Sequence, residues 1–241
     1  MAEKLTAARL IKELKTFQSD AELKKYERYF PVDKRDGDKF IGVRMGQVFD
    51  LAKRFIDMPV SEIEKLMESD IHEIRAGALS IMGKSASAKR VTPERLKELY
   101  DLYIRRHDRI DNWDFVDLAA HQVVGRYLSD KPRDILYKLA KSNSPWERRT
   151  AIVATSHFML KLKQTEDALA IAEILRDDEH DFVQKAVGWM LRVAGDIDRD
   201  GLIEFLEKFA ATMPRVMLRN AIEKFDPAQR EYYLKIKARE K

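Results

Sequence analysis

Apolar residues recur at i, i+3, i+4 and i+7 along almost the whole chain, and alternation of apolar and polar positions is nearly absent. That period matches the turn of an α-helix rather than the two-residue repeat of a strand. It predicts helices over residues 5–17, 20–30, 45–56, 60–68, 71–83, 93–106, 113–128, 132–142, 145–160, 165–176, 180–194, 199–210, 214–224 and 227–238. The breaks fall on turn chemistry: Asp57-Met58-Pro59, Thr92-Pro93, Ser129-Asp130-Lys131-Pro132, Ser142-Asn143-Ser144-Pro145 and Met213-Pro214. Asp33-Lys34-Arg35-Asp36-Gly37-Asp38 reads as a polar loop.

The helices also repeat. The apolar register Ile74/Gly77/Ala78/Ile81 returns as Val116/Ala119/Ala120/Val123, Val183/Ala186/Val187/Met190 and Leu218/Ala221/Ile222/Phe225. A further copy, Arg148/Ala151/Ile152/Thr155, keeps the small inner positions and has polar outer ones. The residue after the first slot is Arg75, Asp117, Arg149, Gln184 and Arg219 in turn, at steps of 42, 32, 35 and 35 residues. A helix-pair period of that size predicts an all-α fold, an α-solenoid of HEAT-like antiparallel helix pairs over residues 1–241 as a single domain. A lone pair cannot bury its apolar stripe, so stacking supplies the core. The resulting superhelix is expected to carry a concave basic cleft lined by the second helix of each pair.

Composition narrows the chemistry. The chain has no cysteine, which removes disulfides, thiolate catalysis, cysteine-ligated zinc and iron–sulfur clusters. Its five histidines include no pair at i+3 or i+4, so no metal or cofactor is expected. A 36% share of charged residues suits long helices with much surface, but the net charge of only +4 does not by itself announce nucleic acid. The amino terminus leads into a charged amphipathic stretch and no apolar run reaches membrane-spanning length, so a cytoplasmic protein away from the membrane is expected.

Charged side chains then gather around the three tryptophans. Trp113 precedes Asp117 by one helical turn, Trp146 precedes Arg149, and Trp189 lies between Lys185 and Arg192. An isolated tryptophan usually fills a core, and a single acid in so charged a chain usually pairs with a neighbouring cation. Asp117 beside an indole invites a second reading, because apolar and aromatic surroundings tune active-site carboxylates. The repeat register sets Arg149 in the position that Asp117 holds one repeat earlier, so the two would face each other or a shared ligand. Lys185, Arg215 and Arg219 lie on later second helices and suit a phosphate backbone, although each alone reads as a solvated charge. Trp146, after Pro145 at a helix start, reads as a packing residue; His72, His121 and His180 read as cap or packing residues.

Lys39-Phe40-Ile41-Gly42-Val43-Arg44, Asn112-Trp113-Asp114-Phe115-Val116-Asp117, Trp146-Glu147-Arg148-Arg149-Thr150-Ala151-Ile152, Gln184-Lys185-Ala186-Val187-Gly188-Trp189-Met190-Leu191-Arg192 and Met213-Pro214-Arg215-Val216-Met217-Leu218-Arg219 together resemble the AlkD family of DNA alkylation repair glycosylases. The resemblance covers nearly the whole chain in order and implies a HEAT-like superhelix. It implies a catalytic carboxylate at Asp117 with Trp113 as its aromatic partner, an active-site arginine at Arg149 and a second cleft tryptophan at Trp189. A tyrosine of the amino-terminal helices falls on Tyr29. Arg148, Lys185, Arg215 and Arg219 are the expected DNA contacts. The implied activity, in base excision repair, is hydrolysis of the N-glycosidic bond of positively charged N3- or N7-alkylated purines in double-stranded DNA. It would be carried out by a metal-independent, cofactor-free monomer in a prokaryotic-type cytoplasm, associated with the nucleoid. The competing reading is a non-catalytic HEAT-repeat module that binds DNA structure or a protein partner.

Overall fold

A computed structural model describes residues 4–29 and 37–236, side chains at 27–29 excepted. Among these residues every regular element is helical, apart from one isolated parallel bridge between Lys39 and Ile71. None of the helices is long and apolar enough to cross a membrane. The chain packs as two compact units, Met1–Val123 and Val124–Lys241.

The first unit holds α1 (Ala7–Lys15), α2 (Asp20–Tyr29), α3 (Met45–Arg54), α4 (Val60–Met67), α5 (His72–Ser87), α6 (Pro93–Arg105) and α7 (Trp113–Ala119). Two rows form: α5 packs between α3 and α7, while α4 lies between α1 and α6 and backs onto α5. With neighbours on nearly every side, α5 is buried all round, which is why its apolar pattern is not confined to one stripe. Ile74, Ala78, Leu79, Ile81 and Met82 form its apolar contribution to the core.

The second unit repeats the plan with α8 (Asp134–Leu139), α9 (Pro145–Ala154), α10 (Glu166–Ile174), α11 (Asp181–Gly195), α12 (Arg199–Phe209), α13 (Arg215–Ala221) and α14 (Pro227–Lys235). Here α11 packs between α9 and α13, with α10 and α12 behind it. The side chains of Val183, Ala186, Val187 and Met190, one of the repeat registers, are all buried on α11.

Helix starts follow the turn signals. Thr92 and Ser144 accept backbone N–H bonds from Arg95 and Glu147, and Pro93 and Pro145 occupy the first helical position, where a missing N–H costs nothing. An arginine closes one helix end from outside: Arg109 donates to the carbonyls of Met67, Glu68 and Ser69 at the end of α4. These carbonyls have no partner within their own helix, so a cation there satisfies them and complements the helix dipole.

Three helical spans differ from the sequence pattern. The stretch expected over 113–128 is α-helical only to Ala119 and continues as a π-helical segment, Ala120–Gly125. The stretch expected over 145–160 ends as α-helix at Ala154, with a second π-helical segment at Phe158–Leu162. The helix expected to stop at residue 83 runs on to Ser87. Gly83 is no terminator: a Cβ there would run into the Leu118 carbonyl of α7, so glycine is what lets α5 and α7 approach.

Candidate functional site

The site is built around the amino-terminal end of α5. The Lys39 N–H donates to the Asp70 carbonyl at 2.9 Å and its carbonyl accepts from His72 N–H at 2.8 Å, which lays residues 38–43 against that end. Glu73, with no solvent exposure, then accepts the backbone N–H groups of Ile41, Gly42 and Val43 at 3.0, 2.9 and 3.2 Å. Gly42 turns the chain with φ of 74°, where a Cβ would strike the Ser19 carbonyl. One buried carboxylate thus organises a loop that has almost no regular structure of its own.

That loop fixes α2 in turn. The Tyr26 hydroxyl donates to the Val43 carbonyl at 2.6 Å, and its ring lies 5.1 Å from Phe40. Burial, with Glu73, Asp114 and Glu22 nearby, pushes the Tyr26 hydroxyl well above the usual tyrosine range, so it stays neutral and donates.

His72 and Arg75, one turn apart on α5, tie the loop to α7. The His72 ring lies 2.8 Å from carboxylate oxygens on both sides, Nδ1 to Asp38 and Nε2 to Asp114. It is stacked between Phe40 at 4.7 Å and Phe115 at 4.5 Å. Arg75 pairs with Asp38 and donates to both oxygens of Asp111 at 2.7 and 2.8 Å, with its guanidinium 4.8 Å from the Phe115 ring centre.

Between α2, the start of α3 and α7 a cavity of about 550 Å³ remains. Glu22, Lys25 and Tyr26 line it from α2, Arg44, Met45 and Phe49 from the α3 end, and Trp113, Asp114, Asp117 and Leu118 from α7. The helical spacing of Trp113 and Asp117 therefore does what the sequence suggests: both reach one cavity, half-buried. Glu22 bonds Lys25 at 2.7 Å and Arg44 at 2.8 Å, and these two cations hold its carboxyl below the usual range. The wall thus combines aromatic faces with three acids, two basic side chains and no histidine.

The remaining sequence-predicted residues belong to the second unit, except Tyr29, whose side chain lies outside the described residues. Arg149 on α9 is 4% exposed and donates from Nη1 to the Phe182 carbonyl at the start of α11. Arg148 is committed to Asp178 at 2.5 Å and to the Ser142 and Asn143 carbonyls at 2.9 and 3.0 Å. Trp189 on α11 is 37% exposed, a large apolar ring left open to solvent. One turn before it, Lys185 pairs with Asp181 at 2.6 Å and lies 5.2 Å from the Phe182 ring centre. On α13, Arg215 donates to the Leu234 carbonyl at 2.7 Å, and Arg219 is exposed with no ion-pair partner among the described residues. Trp146 packs against His180 at 5.3 Å and Phe182 at 5.9 Å, as a packing residue should.

Sequence reasoning passes over Tyr26, Asp38, Glu73 and the bridging role of His72. The available signal was His72-Glu73-x-Arg75 opening a helix directly after a loop, which puts three charge-capable side chains on one helix end.

A family model described as DNA alkylation repair enzyme matches residues 10–225. Among solved structures, one titled a predicted DNA alkylation repair enzyme from Enterococcus faecalis matches with a TM-score of 0.66 at 18% identity. The match covers 87% of this chain and 97% of that one, and at such identity it speaks for the fold alone. A search of curated proteins finds no match.

Proposed function

The chain belongs to the family of DNA alkylation repair enzymes, and on that premise we propose that it is a DNA glycosylase acting on positively charged N3- or N7-alkylated purines in double-stranded DNA. The observation that carries the proposal is the first unit's cavity, where Asp117 and Trp113 stand together on a wall of aromatic faces and carboxylates.

The chemistry suits that wall. An alkylated purine cation is already a good leaving group and needs no general acid. The demand falls on the deoxyribose, which gains positive charge as the N-glycosidic bond breaks, and a preorganised carboxylate stabilises such charge directly. Asp117 is assigned this role and that of orienting the attacking water. Trp113 presents its π face to the cationic nucleotide, a contact on the order of 0.5–2 kcal/mol.

In the second unit, Trp189 is assigned a further aromatic contact and Arg149 a phosphate near the lesion. Lys185, Arg215 and Arg219 are assigned the DNA backbone. Arg148, held by Asp178 and two loop carbonyls, is assigned to bracing the start of α9 beside Arg149. On this reading the helix pairs continue as a HEAT-like superhelix with a basic cleft, the lesion's own lability sets much of the selectivity, and neither metal nor cofactor takes part.

Incubation of the full chain with methylated duplex tests the proposal. Release of free 7-methylguanine, with uracil in the same duplex left in place, is the expected result. Salt-sensitive duplex binding without base release would instead establish a passive DNA binder, and absence of both would leave the protein-binding reading.

A further inference from the structure

His72 takes no part in the proposed reaction, yet its surroundings are chemically demanding. The side chain has no solvent exposure, aromatic rings cover both of its faces, and each ring nitrogen lies 2.8 Å from a carboxylate oxygen. A carboxylate ion only accepts hydrogen bonds, and a neutral imidazole has one donor and one acceptor. A neutral ring would satisfy one acid and turn its lone pair toward the other. The charge count points the same way. Asp38, Asp111 and Asp114 surround Arg75 and His72; among the described residues Arg75 pairs with Asp38 and Asp111, and Asp114 pairs with the ring.

We propose that His72 is held as an imidazolium donating from both nitrogens, and that it positions the site by locking the first turn of α7 to the 38–43 loop. The lock reaches both walls of the cavity. On one side Asp114 follows Trp113 directly and precedes Asp117 by three residues; on the other, the loop ends in the Val43 carbonyl that receives Tyr26. The two acids of α7 thereby part company. Asp114 gives Oδ2 to His72 and Oδ1 to the Phe115 N–H at 3.0 Å, a fixed structural anion. Asp117, one turn further on, is the carboxylate presented to the ligand.

The protonation state stands apart from any catalytic reading, whereas the effect on turnover rests on the glycosylase proposal. Nitrogen-15 spectra of the histidine-labelled full chain at neutral pH test the first directly. Two protonated ring nitrogens are expected for His72, each with a slowly exchanging N–H, the signals being assigned by their loss in His72→Gln. One protonated and one bare nitrogen would overturn the imidazolium and place the proton on Asp38 or Asp114.

The indole N–H signals test positioning without any activity. His72→Gln is expected to move the Trp113 signal and leave those of Trp146 and Trp189 in place. Asp114→Ala, which cuts the same link at a partly exposed side chain, gives the same shift should the buried substitution fail to fold. An unmoved Trp113 signal in a folded variant would overturn the lock. With wild-type base release established, kcat is expected to fall about 10- to 100-fold in either variant while KM for duplex changes less than about threefold. Unchanged kcat would overturn the positioning role, and absence of wild-type release would overturn the glycosylase reading alone.

Discussion

At the scale of single residues, the first unit holds carboxylates of two kinds, those that line the cavity and those that hold the backbone. Glu73 is the plainest of the second kind, a carboxylate without solvent contact that receives three consecutive backbone N–H groups. Glu73→Gln keeps the shape and one acceptor oxygen but removes the charge and sets an amide donor beside the Ile41 N–H that Oε2 accepts, so urea denaturation is expected to show a loss of about 1–3 kcal/mol. A change below about 0.5 kcal/mol would mean that the 41–43 loop is held by other contacts. Asp117 and Trp113 were legible in the sequence because both partners sit within one helical turn. Glu73, His72 and Tyr26 were not, because their partners lie 17 to 42 residues away, in the 38–43 loop without periodicity or, for His72, also on α7. Period tells which way a side chain faces along its helix; it does not tell what the chain brings opposite.

At the scale of elements, caps and proline stops were read correctly since they depend on neighbours in sequence, as at Thr92-Pro93 and Ser144-Pro145. Two of the errors share one cause. Apolar spacing averages over a window, so it does not distinguish an α-turn from the wider π-turns at Ala120–Gly125 and Phe158–Leu162. The span expected to end at residue 83 erred in the other direction, since the helix runs on past Gly83 to Ser87. The place of Gly83 against the Leu118 carbonyl gives a direct test. Gly83→Ala would favour the helix by itself, yet here it must force α5 and α7 apart, and a net loss of about 1–3 kcal/mol is expected in thermal or urea unfolding. A stabilised variant would show that the two helices have room to spare. Because α7 carries Trp113 and Asp117, the same variant is expected to lose base-release activity more than duplex affinity.

At the scale of the whole molecule, the all-helical fold was legible from a single repeating period, and membership in the repair family joins that fold to DNA. The partition into two compact units was not legible, since the same registers run through both. Stability against alkali is a property of the whole chain. Tyr26 is raised far above the ordinary value, and burial with the neighbouring carboxylates Asp167 and Glu207 raises Tyr137 and Tyr233 to about 12. An unfolded tyrosine loses its proton near pH 10, so the folded state binds these protons more tightly than the unfolded one. Their contribution is complete below about pH 10 and is lost as pH rises toward and through the folded values. Urea midpoints measured from pH 9 to 12 should therefore fall, and fall less steeply in Tyr26→Phe and Tyr137→Phe. Equal slopes in wild type and variants would remove the tyrosines from that account.

Under the proposed function one carboxylate, Asp117, stabilises the sugar cation as an alkylated purine departs. Single-turnover release of 7-methylguanine from a defined duplex, compared between wild type and Asp117→Asn, tests it most directly. A rate loss of about 10²–10⁴-fold is expected, with duplex affinity within a few-fold of wild type. Release by Asp117→Asn at the wild-type rate, or a loss confined to DNA binding, would contradict it.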